Sequence, residues 1–370
     1  MRHLSERVLA FFIQDLRAGG AERSVARLLN GIMARGVPTD LVVVNRKGAF
    51  LDELDPRVNV VELNEGRTMT SVRGLKRYIE TRRPAAVVSS LTHTNVAAIL
   101  ANLSARPRSR LVVVEHNQHS QNVRLKRGLV GLSYRMVPWL YPKADLVAAV
   151  SEGVRDDLAA ITGMHSDRIA VLHNPVVDER FEDSALAEVD HPWLANPGPP
   201  VVLGVGRLTR QKNFPLLIEA FAEARKSRPL RLIILGEGEL RGELEARIRA
   251  LGVEEHVDLP GFDANPFRFM RRAAVYVLSS DWEGLPTALI EAMACGTPVV
   301  STDCESGPHE ILLGGKLSRI VPVGNASALA NAILATLDAP GDRQARIARA
   351  GDFSLDRAVD RYLEAAGWIQ

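Results

Sequence analysis

The chain has 370 residues, 46% apolar and 24% charged, with two cysteines and a net charge of +2. At about 150 residues per domain the length implies two domains, and the composition excludes a disordered chain, a collagen-like repeat and a disulfide framework. The charge is uneven: residues 1–180 carry 26 Lys and Arg against 18 Asp and Glu, a net of +8, and residues 181–370 carry 20 against 26, a net of −6.

In chain order, short β-rich runs alternate with amphipathic stretches. Residues 8–13, 41–44, 58–63, 86–89, 111–114, 146–150 and 169–172 read as strands, with helical patterns such as 22–33 and 71–82 between them. The run 8–13 is too short for a signal-peptide core. The apolar region 128–150 is interrupted by Arg135, Pro138, Pro142, Lys143 and Asp145, so no membrane-spanning helix is expected. Residues 190–200 hold Pro192, Pro197, Gly198, Pro199 and Pro200 and read as a linker. Strands resume at 201–205, 232–235, 257–259, 275–278, 299–301 and 319–321. Near-continuous apolar strands separated by helices predict two α/β domains with parallel sheets. After a break at 338–342, Ser354 reads as the N-cap of a tail helix with the stripe Leu355, Val359, Tyr362 and Leu363.

The chain lacks G-x-G-x-x-G after its first strand, a P-loop, H-E-x-x-H and C-x-x-C. Nicotinamide redox chemistry, P-loop phosphoryl transfer and structural zinc are therefore not expected. The segment richest in chemistry is 279–302. There Gly284-Leu285-Pro286 follows a strand and opens a helix running to about Ala294, with Pro286 suited to the first turn. The amides of Leu285, Thr287 and Ala288 would form an anion site fit for a diphosphate. Glu283 precedes Glu291 by eight residues, about 12 Å of rise if the helix reached that far. Two carboxylates so spaced suit two parts of one elongated ligand, such as a nucleotide and its sugar. Asp281 and Glu283 could instead share a divalent metal. Against that, Arg207 and Lys212 follow the strand 201–205 and supply fixed cations. Gly19 and Gly20 follow the first strand and allow a close backbone approach. His116 follows the strand 111–114, at the ligand-facing end of an α/β sheet. Cys295 and Cys304 read as packing residues.

Together these segments resemble glycosyltransferase family 4, of the GT-B superfamily of retaining enzymes that use nucleotide sugars. The resemblance rests on residues 19–22, 114–117, 174–177, 206–214, 235–238, 283–291 and 296–301, in family order. Its most specific part is Glu283 and Glu291 within E-G-L-P-x-x-x-x-E-A-M-A-x-G-x-P-V-V. It implies two facing Rossmann-like domains with an interdomain cleft. Residues 1–180 would bind the acceptor and residues 190–350 the nucleotide sugar, with a tail, 353–370, crossing back to the N-terminal domain. By position, Arg207 and Lys212, after Gly206, would bind the diphosphate. Glu283 would meet the donor sugar, helped by the amides of Gly284 and Leu285. Glu291 would hold the ribose. Gly236, Gly238 and Phe262 would lie near the base, His116 would reach the donor sugar, and Gly19 and Gly20 would close over the diphosphate and acceptor. The resemblance implies a hexosyltransferase that needs no metal or other cofactor.

The stretch 303–311, D-C-x-S-G-P-x-E-I with Glu305 at the third position, is similar to members that build surface polysaccharides and lipid-linked glycans, commonly from UDP-sugars. That implies a glycan or lipid-linked acceptor and a cytoplasmic enzyme, peripheral on the inner membrane. The basic residues Arg73, Lys76, Arg77, Arg82, Arg83 and those of 124–127, beside Leu125, Leu129 and Leu132, are expected to face anionic lipid. With aromatics at 5% and no stacking motif, nucleic acid is not an expected partner. An epimerase or phosphorylase of the same fold, or a non-catalytic sugar-nucleotide-binding protein, are the competing readings. The E-G-L-P arrangement and the intact set of charged residues weigh against them.

Overall fold

The computed structural model describes residues 7–17, 19–66, 68–125, 128–179 and 181–369. The chain divides into two compact units, Met1–Pro175 with Leu355–Gln370, and Val176–Ser354.

The first unit is built on a seven-stranded parallel sheet. Its strands are β1 (Leu9–Ile13), β2 (Thr39–Val43), β3 (Asn59–Glu62), β4 (Ala86–Ser90), β5 (Arg110–Glu115), β6 (Leu146–Ala149) and β7 (Ile169–Val171), in spatial order β3-β2-β1-β4-β5-β6-β7. β1, β2 and β4 are buried along their whole length, as strands covered on both faces must be. The second unit repeats the plan with six parallel strands: β8 (Val201–Val205), β9 (Arg231–Leu235), β10 (Val257–Gly261), β11 (Val275–Leu278), β12 (Val299–Thr302) and β13 (Arg319–Val321). Their order is β10-β9-β8-β11-β12-β13. Its core gathers Leu217 and Phe221 of the helix Phe214–Arg225 with Leu329 and Ile333 of the helix Ala326–Asp338.

The topology itself locates a crevice in each unit. β1 lies between β2 and β4, and β8 lies between β9 and β11. The direction of winding reverses at β1 and at β8. The loops leaving β1 and β4, and those leaving β8 and β11, therefore part to opposite faces and leave room for a ligand at the strands' carboxyl ends.

All thirteen expected strands are present, with ends shifted by at most two residues. The tail helix is also where its stripe requires. Leu355–Ala365 belongs to the first unit and buries Val359, Tyr362 and Leu363. Arg35 donates to Asp356 at 2.8 Å and Asp360 at 2.9 Å, and Arg110 Nε donates to the Ala365 carbonyl at 2.9 Å.

One expectation is corrected, and one unexpected helix is present. The proline-rich stretch at 190–200 is part of the second unit and does not link the two. His191 Nε2 bonds Asp258 at 2.9 Å, the Arg231 guanidinium lies 5.1 Å over the Trp193 ring, and Arg231 N–H donates to Pro200 O at 3.0 Å. The prolines stiffen an approach to β8, and the chain passes between units at Pro175–Val176 and at Ser354–Leu355. The helix Arg343–Ala350 was not expected from the sequence. Asp342 caps it by accepting from Gln344 N–H and Ala345 N–H, and its buried Arg346 donates to the carbonyls of Pro340 and Gly296. Among the described residues no helix is long and apolar enough to cross a membrane. Residues 128–150 form the helix Gly128–Leu140, a 3-10 turn and β6.

Candidate active site

In the second unit, the predicted residues fall on one row of strand ends. Gly206, Arg207 and Lys212 follow β8, Gly236 and Gly238 follow β9, Phe262 follows β10, and Glu283, Gly284 and Leu285 follow β11. The switch point at β8 and β11 thus carries the charged groups, and the neighbouring ends of β9 and β10 carry the open turn and the aromatic ring.

The two switch loops are laced together. Lys212 Nζ donates to Glu283 Oε1 at 2.6 Å, and Ser280 Oγ donates to the same oxygen at 2.6 Å. Gln211 Nε2 donates to Glu283 Oε2 at 3.3 Å and to Trp282 O at 3.0 Å. Asn213 Nδ2 donates to Asp281 Oδ1 at 2.6 Å, and Asp281 N–H donates to Gln211 O at 2.9 Å. Glu283 is 5% exposed, so its charge needs these partners. Arg207, in contrast, is exposed at the start of its loop.

Gly236 is required by close approach. Its φ is +143°, and a Cβ there would stand 1.9 Å from Gly206 O. Gly206 N–H donates to Leu235 O at 3.0 Å, Gly236 N–H to Gly261 O at 2.8 Å and Leu208 N–H to Glu237 O at 2.9 Å. These bonds run across the ends of β8, β9 and β10. Phe262, just past β10, is 68% exposed, which suits a ring that stacks on a bound planar group.

The helix after Glu283 starts later than expected. It spans Thr287–Ala294, with Pro286 at the N-cap and not inside the first turn. Glu283 therefore sits in the loop, and its distance from Glu291 is not the rise of a single helix. The amides of Thr287 and Ala288 stand at the helix start, where no carbonyl of the same helix reaches them. Glu291 is buried on that helix among Leu289, Ile290, Ala292 and Met293. The motif at 303–311 buttresses this turn. Gly307 has φ +90°, and a Cβ there would meet Pro286 Cδ at 2.3 Å. Cys295 and Cys304 are buried free thiols, and burial pushes the Cys295 thiol up to about 12.

Gly19, Gly20 and His116 lie in the first unit. Gly19 is the N-cap of the helix Gly20–Ala34, directly after the β1 loop. His116 follows β5, is 6% exposed, and both of its ring nitrogens lack a hydrogen-bond partner among the described residues. Burial pushes its pKa down to about 4, so the ring is neutral at neutral pH. Sequence reasoning missed Gln211, Ser280, Asn213 and Glu115. Gln211 and Asn213 stand inside the run R-L-x-x-Q-K-N-F, so their signal was present. Ser280 and Glu115 show themselves only by what they touch.

Two Rossmann-like units, one with fixed cations, helix-start amides and buried carboxylates at its switch point, define a glycosyltransferase of the GT-B fold. Residues 18–180 match the family described as glycosyltransferase family 4, and residues 188–352 the one described as glycosyl transferases group 1. A Campylobacter jejuni relative, N-acetylgalactosamine-N,N'-diacetylbacillosaminyl-diphospho-undecaprenol 4-alpha-N-acetylgalactosaminyltransferase, is 31% identical over 331 residues, 87% of each chain. Among solved structures, Anabaena HepE in complex with UDP and glucose superposes with a TM-score of 0.82 at 20% identity, covering 98% of this chain and 100% of that one. The lipopolysaccharide outer core galactosyltransferase WaaB in its apo form gives 0.75 at 20% identity, covering 98% and 99%. The chain belongs to glycosyltransferase family 4 and is a hexosyltransferase-type enzyme.

Proposed function

We propose that this enzyme moves a hexosyl group from a UDP-sugar to a lipid-linked glycan in cell-surface polysaccharide synthesis, with retention at the anomeric carbon. The observation that carries the reading is the Lys212–Glu283 bridge across the β8–β11 switch point. Lys212 has three donors and gives one to Glu283, which leaves two for diphosphate oxygens. The exposed Arg207 and the amides of Thr287 and Ala288 add positive potential beside them. Among the described residues Glu283 Oε2 accepts a 3.3 Å bond from Gln211, and a carboxylate oxygen has room for a second donor such as a sugar hydroxyl. The names of the Campylobacter relative and of the Anabaena complex support a lipid diphosphate acceptor and a UDP donor.

In the step proposed, the bond from the anomeric carbon to the diphosphate breaks and its electron pair leaves on the phosphate oxygen. The acceptor oxygen bonds the same face of the anomeric carbon, and its proton passes to the departing phosphate. The protein's main contribution is stabilisation of the leaving charge by Arg207, Lys212 and the helix amides. The step is proposed to need no metal, because Asp281 is held by Asn213 and Glu283 by Lys212 and Ser280. Donor consumption across UDP-, GDP- and ADP-sugars tests this, with anomeric configuration read by NMR. UDP-sugar turnover is expected, reduced by about 10²- to 10³-fold in Glu283→Ala. Full activity in that variant overturns the site.

The enzyme is further proposed to work at the cytoplasmic face of the inner membrane, through its basic first unit. Arg73, Arg77 and Arg83 are exposed, whereas Arg82 is drawn to Asp40 at 3.0 Å and Lys76 to Glu80 at 3.7 Å. Lys126 and Arg127, and the side chains of Arg124, Leu125 and Leu129, lie outside what the structure describes. On the helix Gly128–Leu140, Leu132 is 52% exposed and Trp139 is 70% exposed, with Arg135 exposed on the same face. Apolar and aromatic side chains flanked by Arg suit an anionic bilayer surface. Flotation with vesicles of graded anionic lipid content is expected to show binding that rises with that content and falls in Trp139→Ala. Binding indifferent to anionic lipid overturns the membrane reading.

A further inference from the structure

Glu115 ends β5 inside the first unit, fully buried, and its carboxylate is held by neutral donors. Thr92 Oγ1 and Tyr141 OH each donate to Oε2 at 2.8 Å, and His116 N–H donates to Oε1 at 3.1 Å. The backbone of Asn117 also bonds this carboxylate. Asn95 Nδ2 donates to Tyr141 OH at 3.0 Å and to Val114 O at 2.9 Å, which ties the same cluster to the end of the strand. A buried carboxylate among neutral groups is costly, and an apolar side chain would pack there at less expense. Burial pushes its pKa up to about 7. What the carboxylate does that an apolar group cannot is grip two successive amides of the turn that carries the His116 ring. That ring is nine-tenths buried, and its two nitrogens have no partner among the described residues. A neutral imidazole offers one donor and one acceptor, which matches adjacent hydroxyls of a sugar.

We propose that Glu115 is a positioning residue: with Thr92 and Tyr141 it clamps the His116–Asn117 turn, so that the His116 ring stands ready to take two hydroxyls of a sugar. The inference rests on the glycosyltransferase reading for its ligand, but the clamp itself can be tested without turnover. Glu115→Gln keeps the shape and places an amide donor among groups that donate. Tyr141→Phe removes one donor and spares the carboxylate, which guards against a Gln variant that does not fold.

Two measurements on the full chain decide the matter. In histidine-labelled protein, the His116 ring nitrogen resonances, assigned by their loss in His116→Ala, are expected to shift in Glu115→Gln and in Tyr141→Phe, while those of His256 and His309 stay in place. Unmoved His116 resonances in both variants overturn the clamp, whether or not the protein turns over any sugar nucleotide. In the transfer assay, Glu115→Gln is expected to lower kcat by about 10- to 100-fold with donor KM little changed, and to add almost nothing in a His116→Ala background. An equal fold-loss in both backgrounds means Glu115 acts only on general stability and overturns the proposal. Absence of transfer by the wild type, with the resonance shifts present, would count against the functional reading and leave the clamp standing.

Discussion

At the switch point of the second sheet, the loops leaving β8 and β11 are joined by an ammonium on a carboxylate, Lys212 on Glu283 at 2.6 Å, with Asn213 on Asp281 beside it. At the switch point of the first sheet, the β1 loop and the helix following β4 meet through an amide and an imidazole, and the ion pair nearby, Arg17 on Asp15 at 2.7 Å, lies within the β1 loop itself. Gln14 Oε1 bonds His93 Nε2 at 2.8 Å and accepts from Thr68 Oγ1 at 3.2 Å. Both sheets have the same winding, so the difference comes from the side chains alone. A diphosphate arrives with charge and is best met by charges already paired and oriented. A hydroxylated sugar or glycan carries none, and an unpaired charge waiting for it would be costly to bury. The first unit places the neutral His116 ring just past β5 and holds the Glu115 carboxylate beside it through the hydroxyls of Thr92 and Tyr141.

The largest test of this contrast pairs two deletions. Lys212→Ala leaves the 5% exposed Glu283 without its ammonium. It is expected to lower kcat by about 10²- to 10³-fold and to lower the melting temperature as well. Gln14→Ala removes a neutral contact and is expected to cost about 1 kcal/mol of stability. Equal losses in chemical denaturation and in turnover would erase the distinction between the two switch points.

A smaller effect is expected from Gly236→Ala. The methyl would collide with Gly206 O, and its backbone would be held at φ +143°. The cost is on the order of 1–3 kcal/mol, with UDP affinity weakened by displacement of the β8 and β9 loops. Calorimetric titration with UDP checks it, and unchanged affinity would detach this turn from the nucleotide site.

The last test concerns pH. Glu115 titrates near 7 in the folded chain against 4.5 for the free side chain. The folded state therefore keeps a proton that the unfolded state loses, and this contribution to stability falls as pH rises from about 4.5 to about 7. His116, lowered from 6.5 to about 4, acts oppositely, adding stability as pH rises from about 4 to about 6.5. Glu115→Gln removes only the first. The melting temperature of that variant, relative to wild type, should therefore climb between about pH 5 and about pH 7.5. A constant difference across that range would show that Glu115 contributes no proton linkage.

Much of this was legible in the residues. β8 and β11 stand where their apolar runs are, because a strand buried on both faces needs little beyond local hydrophobicity. Arg207, Lys212, Glu283 and Glu291 could be singled out because their spacing around glycines and strand ends is unusual. Three things were not legible. The stretch 190–200 looks like a linker, but its His191 bonds Asp258 and its Pro200 carbonyl accepts from Arg231 N–H, partners 30 or more residues away. The helix expected to begin at Pro286 begins one residue later, since Pro286 has ψ +87°, outside the helical range. Glu115 reads as the polar end of a strand until Thr92 and Tyr141 are seen on its carboxylate.

The amino-acid sequence by itself determined the two α/β units, their strands and the family, because periodicity and spaced motifs are local properties of the chain. Tertiary structure alone decided that Lys212 is bound to Glu283, that the His116 ring is buried with no hydrogen-bond partner among the described residues, and that Glu115 grips the turn beneath it. Those facts depend on strand order, which brings β11 beside β8 and the helix Thr92–Ser104 beside β5. An ion pair between residues 71 positions apart, or a carboxylate clamped from 23 and 26 positions away, is a contact between elements, and no local pattern encodes it.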